Sequence, residues 1–511
     1  MKTFNNPILP GFYPDPSICR VGEDYYLVTS TFTYFPGVPI FHSKDLVHWK
    51  QIGNVLHRPE QVKLNGEVSR GIFAPTIRHH GGVFYMITTN VSGGGNFIVT
   101  ATNPAGPWSD AHFIEGANGI DPSLFFDDDG KCYYHGTCDR REGAAYFGDN
   151  EIYLQELDLS TFKLVGERYA IWHSALKNAV WPEGPHVYKV GDWYYLMISE
   201  GGTGPDHAIT IARSKTLTGY YEGFKSNPIL THRHLGQKYP IVNVGHADLV
   251  ETPSGEWWMV LLASRPYGGY FRNLGRETFL VPVTWENGWP VCNYGIGLVL
   301  DEERFPNLAP VPVSDPTAYD FTKVTEMPLN MMHLRNPIAE DYKFDNGLNL
   351  RLNPNKITQV DNPVSYFALR QQHMCFEATT TVELMPQNEN EAAGLVIFQN
   401  HKFNYHLLIT QKAGKRIVKV VKCEKEVETV LAEMECDTAV STLKIAAKGQ
   451  ELSFYCCGKP VLEGADARML STDVAGGFVG NTIGMYATSG GVDAGDRFAR
   501  FGEIAYMAVE K

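Results

Sequence analysis

Gly22-Glu23-Asp24-Tyr25-Tyr26-Leu27 is the first of five similar stretches. Gly81-Gly82-Val83-Phe84-Tyr85-Met86, Gly130-Lys131-Cys132-Tyr133-Tyr134, Gly191-Asp192-Trp193-Tyr194-Tyr195-Leu196 and Gly255-Glu256-Trp257-Trp258-Met259 follow at intervals of about 60 residues. In each, a glycine is followed after a short gap by two bulky residues that open an apolar run. Glycine tolerates the positive φ of a tight hairpin turn, so each copy predicts a turn into a strongly apolar strand. An interval near 60 leaves room for four strands, and five such units closing radially predict a five-bladed β-propeller.

A second element precedes each glycine by a few residues. The copies read Asp15-Pro16-Ser17-Ile18, Ala74-Pro75-Thr76-Ile77, Asp121-Pro122-Ser123-Leu124, Glu183-Gly184-Pro185-His186-Val187 and His246-Ala247-Asp248-Leu249. In a propeller the first strand of every blade lines the central channel, so these starts converge at one of its ends. Four repeats bring an ionisable side chain there and the second brings only Ala74. Taken singly, an Asp-Pro-Ser is an ordinary turn in which Asp bonds local backbone N–H groups. The matched placement in four repeats points to a functional centre.

The rest of the composition agrees with a large β protein. The chain has 511 residues, 12% of them aromatic, with 49 Gly and 30 Pro. The 57 acidic residues exceed the 44 basic ones, for a net charge of −13, which argues against a phosphate-binding surface and against nucleic acid as a partner. No apolar run approaches the length of a membrane span. The start, Met1-Lys2-Thr3-Phe4-Asn5, lacks the apolar core of a secretion signal, so a cytoplasmic location is expected. Nine scattered cysteines include a vicinal pair, Cys456-Cys457, and no CxxC motif; reduced thiols are the plain reading. Residues 1–305 are thus read as the propeller and the Pro-rich 306–318 as a stiff linker. Residues 319–511 are read as a β-sandwich packed on the propeller. Strands are expected at Phe376–Leu384, Ala393–Phe398, Tyr405–Ile409, Ile417–Val421 and Leu443–Ala447. No long amphipathic helix is expected. The fold class is all-β.

Three carboxylates at one channel mouth repel one another, so at least one stays protonated near neutral pH. One site then holds a general acid beside a general base, the pair that glycosidic hydrolysis requires. Aromatic surroundings offer a neutral sugar flat apolar faces.

The stretches Tyr13-Pro14-Asp15-Pro16-Ser17, Gly119-Ile120-Asp121-Pro122-Ser123 and Pro182-Glu183-Gly184-Pro185-His186 resemble the three signatures of glycoside hydrolase family 43. Thr29-Ser30-Thr31-Phe32, Phe35-Pro36-Gly37-Val38, His42 to Trp49, Glu200-Gly201-Gly202-Thr203, Gly245-His246-Ala247 and Leu274-Gly275-Arg276-Glu277-Thr278 are similar to its exo-acting β-xylosidases and α-L-arabinofuranosidases. The resemblance covers essentially the whole chain. It implies an inverting exo-hydrolase releasing terminal pentose, α-L-arabinofuranose with β-D-xylose beside it, from neutral oligosaccharides of xylan or arabinan. It implies Asp15 as general base, Glu183 as general acid and Asp121 as the residue that positions Glu183 and raises its pKa. Phe32, Phe73, Ala74, Thr203 and Arg276 match substrate-binding positions. For Arg276 a surface ion pair with Glu277 is the competing role. His246 matches a histidine that meets a calcium ion or its waters in several members, while a bond to a carboxylate is the other role open to it. Gly476-Gly477-Phe478-Val479-Gly480 resembles a loop that closes the pocket from the sandwich domain, with core packing as the alternative for Phe478. Phe73-Ala74-Pro75-Thr76 stands where xylosidase relatives often carry Trp-Ala-Pro-Asp, which tilts the resemblance toward the arabinofuranosidases. Relatives are often dimers or tetramers, and no hydrophobic stripe in the sequence decides between monomer and homo-oligomer.

Overall fold

Gly22, Gly81, Gly130, Gly191 and Gly255 all adopt positive φ, between 58° and 82°. Each sits in the turn between the first and second strands of a four-stranded antiparallel sheet. The computed structural model describes residues 2–509. The five sheets are blades whose first strands are Ser17–Val21, Thr76–His80, Ile120–Phe126, Glu183–Val190 and Val242–Glu251. Each first strand packs against those of its neighbours, which closes the ring around a central axis. Every blade is built from one continuous stretch of chain, so no strand is shared across the closure. The ring is instead tied by the ladder between Thr3–Asn5 and Glu302–Arg304. The Asn6 amide adds bonds of 3.0 Å to the carbonyls of Leu280 and Leu300.

The bulky pairs behind each glycine become the cores between blades. Tyr25, Tyr134, Tyr195 and Trp258 are at most 2% exposed, and burying a side chain of this size contributes about 1.5–3 kcal/mol. Deeper in the channel four blades meet on one carboxylate, and the third reaches it only through His186. Asp248 Oδ2 accepts from Arg78 Nη1 at 2.8 Å and from the Ser17 hydroxyl at 2.7 Å, while Oδ1 accepts from the Tyr188 hydroxyl at 2.6 Å. His186 lies between Arg78 Nη2, at 2.9 Å, and the Ser123 hydroxyl, at 3.0 Å. Burial opposes the charge on Asp248, but Arg78, His186 and Tyr188 outweigh it and hold its pKa far below the usual carboxylate range.

Residues 306–317 form no strand and are pinned to the first blade, with Val311 N–H donating to Asp45 and Gln51 N–H to Asp315. From Ala318 the chain builds two facing sheets, contributing eight strands to one and seven to the other. The five expected strands are present as Cys375–Glu383, Ala392–Asn400, Phe403–Lys412, Lys415–Glu424 and Val440–Lys448. Phe376, Leu395, Leu407, Ile445, Phe454 and Phe501 fill the space between the sheets. One α-helix occurs among the described residues, the single turn Thr472–Ala475, and no helix is long and apolar enough to cross a membrane. All nine cysteines are free thiols.

The domains share a sheet. Tyr34–Phe35, from a loop of the first blade, forms the outermost strand of one sandwich sheet by pairing with Met332–Leu334. That ladder fixes the loop carrying Phe32 to the sandwich domain, and it decides how the pocket is built.

Candidate active site

The starts of the first strands depart from regular β geometry. Asp15, Asp121 and His246 have φ of 56°, 54° and 47°, and Gly184 after Glu183 has 57°. Bulges interrupt the register between Ile120 and Ser123, between Glu183 and His186, and on both sides of Gly245. A left-handed residue or a bulge re-aims a side chain at a local cost of about 1–3 kcal/mol. Here the re-aimed side chains point along the channel axis into one cavity of 310 Å³.

Asp15, Asp121, Glu183 and His246 line that cavity together with Ala74, as the repeat alignment requires. Asp15 is 5% exposed. Its Oδ1 accepts from Arg276 Nη1 at 2.8 Å and its Oδ2 from the Ser30 hydroxyl at 2.5 Å. Burial alone would raise its pKa, but Arg276, His246 and Ser30 carry it below the usual value, so Asp15 stays ionised. Asp121 Oδ2 accepts from Gly184 N–H at 3.1 Å; burial and the Asp15 charge push its pKa up to about 6. Glu183 takes no side-chain hydrogen bond among the described residues. Burial, then Asp121, then Asp15 raise its pKa well above the ordinary value. The carboxylates therefore divide the proton: Asp15 gives it up first and Glu183 keeps it longest.

Arg276 is 8% exposed and turned inward, which excludes the surface pair with Glu277. Glu277 pairs with Arg265 instead, at 2.7 Å. Arg276 also reaches Thr203 Oγ1 and the Phe478 carbonyl, each at 3.4 Å. Phe478, half-exposed on the cavity, stacks on Phe32 with centroids 6.0 Å apart and meets the edge of Phe73 at 5.9 Å. Its N–H donates to the Ser69 hydroxyl at 2.8 Å. The loop is further held by Arg272 on Asp473 at 2.9 Å and by Asn481 N–H on the Asn273 carbonyl at 2.9 Å. The wall of the cavity is thus an aromatic trio, two members from the propeller and one from the sandwich. It closes one side of the cavity.

The residues present do not make a calcium cage. Calcium takes about six to eight oxygen ligands. His246 Nδ1 faces Asp15 Oδ1 at 3.9 Å, and both oxygens of Asp15 are already held. A Cβ at Gly184 would come within 2.9 Å of the imidazole, so that side is filled. The positive charge in the channel below is Arg78, supplied by the chain. At 3.9 Å His246 makes no hydrogen bond to Asp15, and no step is routed through a metal.

Sequence reasoning missed His207 and Trp181, which also line the cavity. The His207 ring lies on Gly245, where a Cβ would approach within 2.1 Å. Its Nδ1 bonds the Asn243 carbonyl at 3.1 Å, which leaves Nε2 buried and without a protein partner. Burial drops its pKa to about 3, so it is a neutral acceptor. Trp181 stands at the rim, 38% exposed, edge-on to the exposed Phe147. No repeated element marks either residue; only the glycines that make room for their rings, Gly245 and Gly202, hint at them.

Residues 4–290 match the model of glycosyl hydrolases family 43, and residues 318–507 match the beta xylosidase C-terminal concanavalin A-like domain. The chain is 47% identical over 525 residues to a xylosidase/arabinosidase of Butyrivibrio fibrisolvens, covering 100% of both. It is 42% identical to a non-reducing end alpha-L-arabinofuranosidase of Bacteroides ovatus, covering 96% of this chain and 92% of that one. The solved Bacteroides ovatus xyloglucan GH43B structure superposes with a TM-score of 0.92 at 39% identity, over 99% of this chain and 100% of that one. An all-β propeller and sandwich, a mouth of three carboxylates with divided protonation and these matches agree: the chain is a glycoside hydrolase and belongs to family 43.

Proposed function

We propose that the protein releases terminal α-L-arabinofuranose, and β-D-xylose as a second substrate, from oligosaccharides derived from xylan or arabinan, with inversion at the anomeric carbon. The observation that carries this reading is the pairing of an ionised Asp15 with a protonated Glu183 in one small cavity walled by Phe32, Phe73 and Phe478. Asp15 takes a proton from a water that attacks the anomeric carbon. Glu183 gives its proton to the glycosidic oxygen, and the sugar leaves with inverted configuration. Asp121 holds the proton on Glu183 by charge and orders the Gly184 N–H beside it. Arg276 orients Asp15 and offers donors to sugar hydroxyls. A cavity of 310 Å³ lies at the small end of ligand pockets, about 300–1,000 Å³, which favours a chain end over mid-chain cleavage. Trp181 and Phe147 at the rim give the departing sugar an apolar face.

A chain-end β-D-xylosidase is the second reading, favoured by the match of residues 318–507 to a beta xylosidase domain. Hydrolysis of 4-nitrophenyl α-L-arabinofuranoside and β-D-xylopyranoside, side by side and with Glu183→Ala as the blank, separates the two. Faster turnover of the arabinoside supports the first reading, and faster turnover of the xyloside the second. If both stay at the level of the blank, both are rejected. Proton NMR of the first-formed sugar tests the stereochemistry: the retained anomer would exclude Asp15 as a general base.

A further inference from the structure

The vicinal pair Cys456-Cys457 plays no part in the active site. It meets Cys436 at the edge of the sandwich, where Val427–Glu435, the outer strand of one sheet, faces Lys459–Asp466, the outer strand of the other. Cys436 follows the first of these strands. Cys456 ends Glu451–Cys456, and Cys457 with Gly458 makes the turn into the second. The sulfurs of Cys436 and Cys456 are 3.5 Å apart, those of Cys456 and Cys457 3.9 Å, and all three lie within 4.8 Å of one another. Two thiolates on one tetrahedral zinc at about 2.3 Å sit about 3.8 Å apart, so the observed spacing is that of a coordination polyhedron. It is far wider than a disulfide, at about 2.05 Å. Among the described residues this is the one place where three such ligand groups come within metal-binding reach.

Two further observations distinguish the trio from ordinary buried cysteines. Cys436 and Cys456, 6% and 1% exposed, could be there as small apolar residues, but Cys457 is exposed. Cys457 also holds φ of 49° at a turn position that favours Gly, Asn or Asp, so neither burial nor turn chemistry accounts for it. The surroundings suit a sulfur anion: Ser441 Oγ, Arg416 Nη1 and Thr438 Oγ1 stand 3.3, 3.4 and 3.5 Å from Cys436 Sγ. Three thiolates with one divalent cation carry a net charge of −1, which the Arg416 guanidinium balances.

We propose that Cys436, Cys456 and Cys457 bind one thiophilic d10 cation, Zn2+ or Cd2+, with the open fourth position facing solvent past Cys457. Each thiol gives its proton to solvent as its sulfur–metal bond forms, and no oxidation state changes. The ion ties the edges of the two sheets together, far from the propeller cavity.

The test uses the full-length reduced protein titrated with Cd2+, followed by sulfur-to-cadmium charge-transfer absorbance, and with Zn2+ in competition with a chelating dye. One ion per chain is expected, with a thermal midpoint that rises as Zn2+ is added and kcat/KM that does not change. Cys457→Ser, at an exposed position that folding does not need, should weaken binding at least tenfold and remove the thermal shift. Cys436→Ser with Cys456→Ser should remove the charge-transfer band. No band in the reduced wild-type protein, or an equal band in Cys457→Ser and in the double variant, overturns the proposal. So does a Cys436–Cys456 disulfide that persists under reducing conditions.

Discussion

The second blade and the other four begin their inner strands differently. Neither Ala74 nor Phe73, before Thr76–His80, has positive φ. The first, third and fifth blades place a left-handed Asp15, Asp121 and His246 at the matching point, and the fourth places Glu183 before a left-handed Gly184. A propeller blade therefore folds well without the distortion. Where the distortion occurs, it carries an ionisable group into the cavity, and where the group is Ala the backbone is relaxed. Strain here serves chemistry and not architecture.

That contrast can be broken at its strongest point first. Glu183→Ala should lower kcat/KM by about 10²–10⁴-fold, the contribution typical of a general acid, with thermal stability unchanged or raised. A variant that keeps more than a tenth of the wild-type rate would remove Glu183 from the chemistry. Gly184→Ala keeps every ionisable group but puts a Cβ at φ 57° and within 2.9 Å of the His246 ring. It should lose about 1–3 kcal/mol of stability, read by urea unfolding, and most of its activity. Thr76→Ala, in the blade that is not re-aimed, removes a buried hydroxyl that bonds the Pro122 carbonyl at 2.9 Å and should leave activity within severalfold of wild type. Phe478→Ala removes the sandwich domain's share of the wall, and a loss of about 1 kcal/mol, roughly fivefold in KM, is expected from initial rates. Unchanged kinetics would return Phe478 to a packing role.

The sequence made the blades legible because a glycine at a positive-φ turn followed by bulky strand residues is a local requirement repeated five times. The four ionisable starts were legible for the same reason: position within a repeat fixes position in the ring. The five sandwich strands could be read from short apolar runs. The bulges could not, since they depend on how Gly184 and His246, or Gly245 and His207, pack across blades. Tyr34–Phe35 joining a sandwich sheet was equally hidden, because two residues in a propeller loop carry no period. Nor did Asp248, read only as part of a motif, announce that four blades would meet on it. The roles of Arg276 and Phe478 came from family resemblance, and the pairing of Arg276 with Asp15 decides against the competing Glu277 pair.

The divided protonation of the carboxylates is the central claim, and the pH dependence of kcat/KM tests it most directly in wild type and Asp121→Asn. The wild-type profile should be a bell, with an acidic limb from Asp15 below the ordinary carboxylate range and a basic limb from Glu183 well above it. Replacing Asp121 removes a negative charge that holds the proton on Glu183, so its pKa falls and the basic limb moves to lower pH. The acidic limb, set by Asp15 and Arg276, should move little. A basic limb that stays in place, or an acidic limb that shifts in its stead, would contradict the assignment of acid and base.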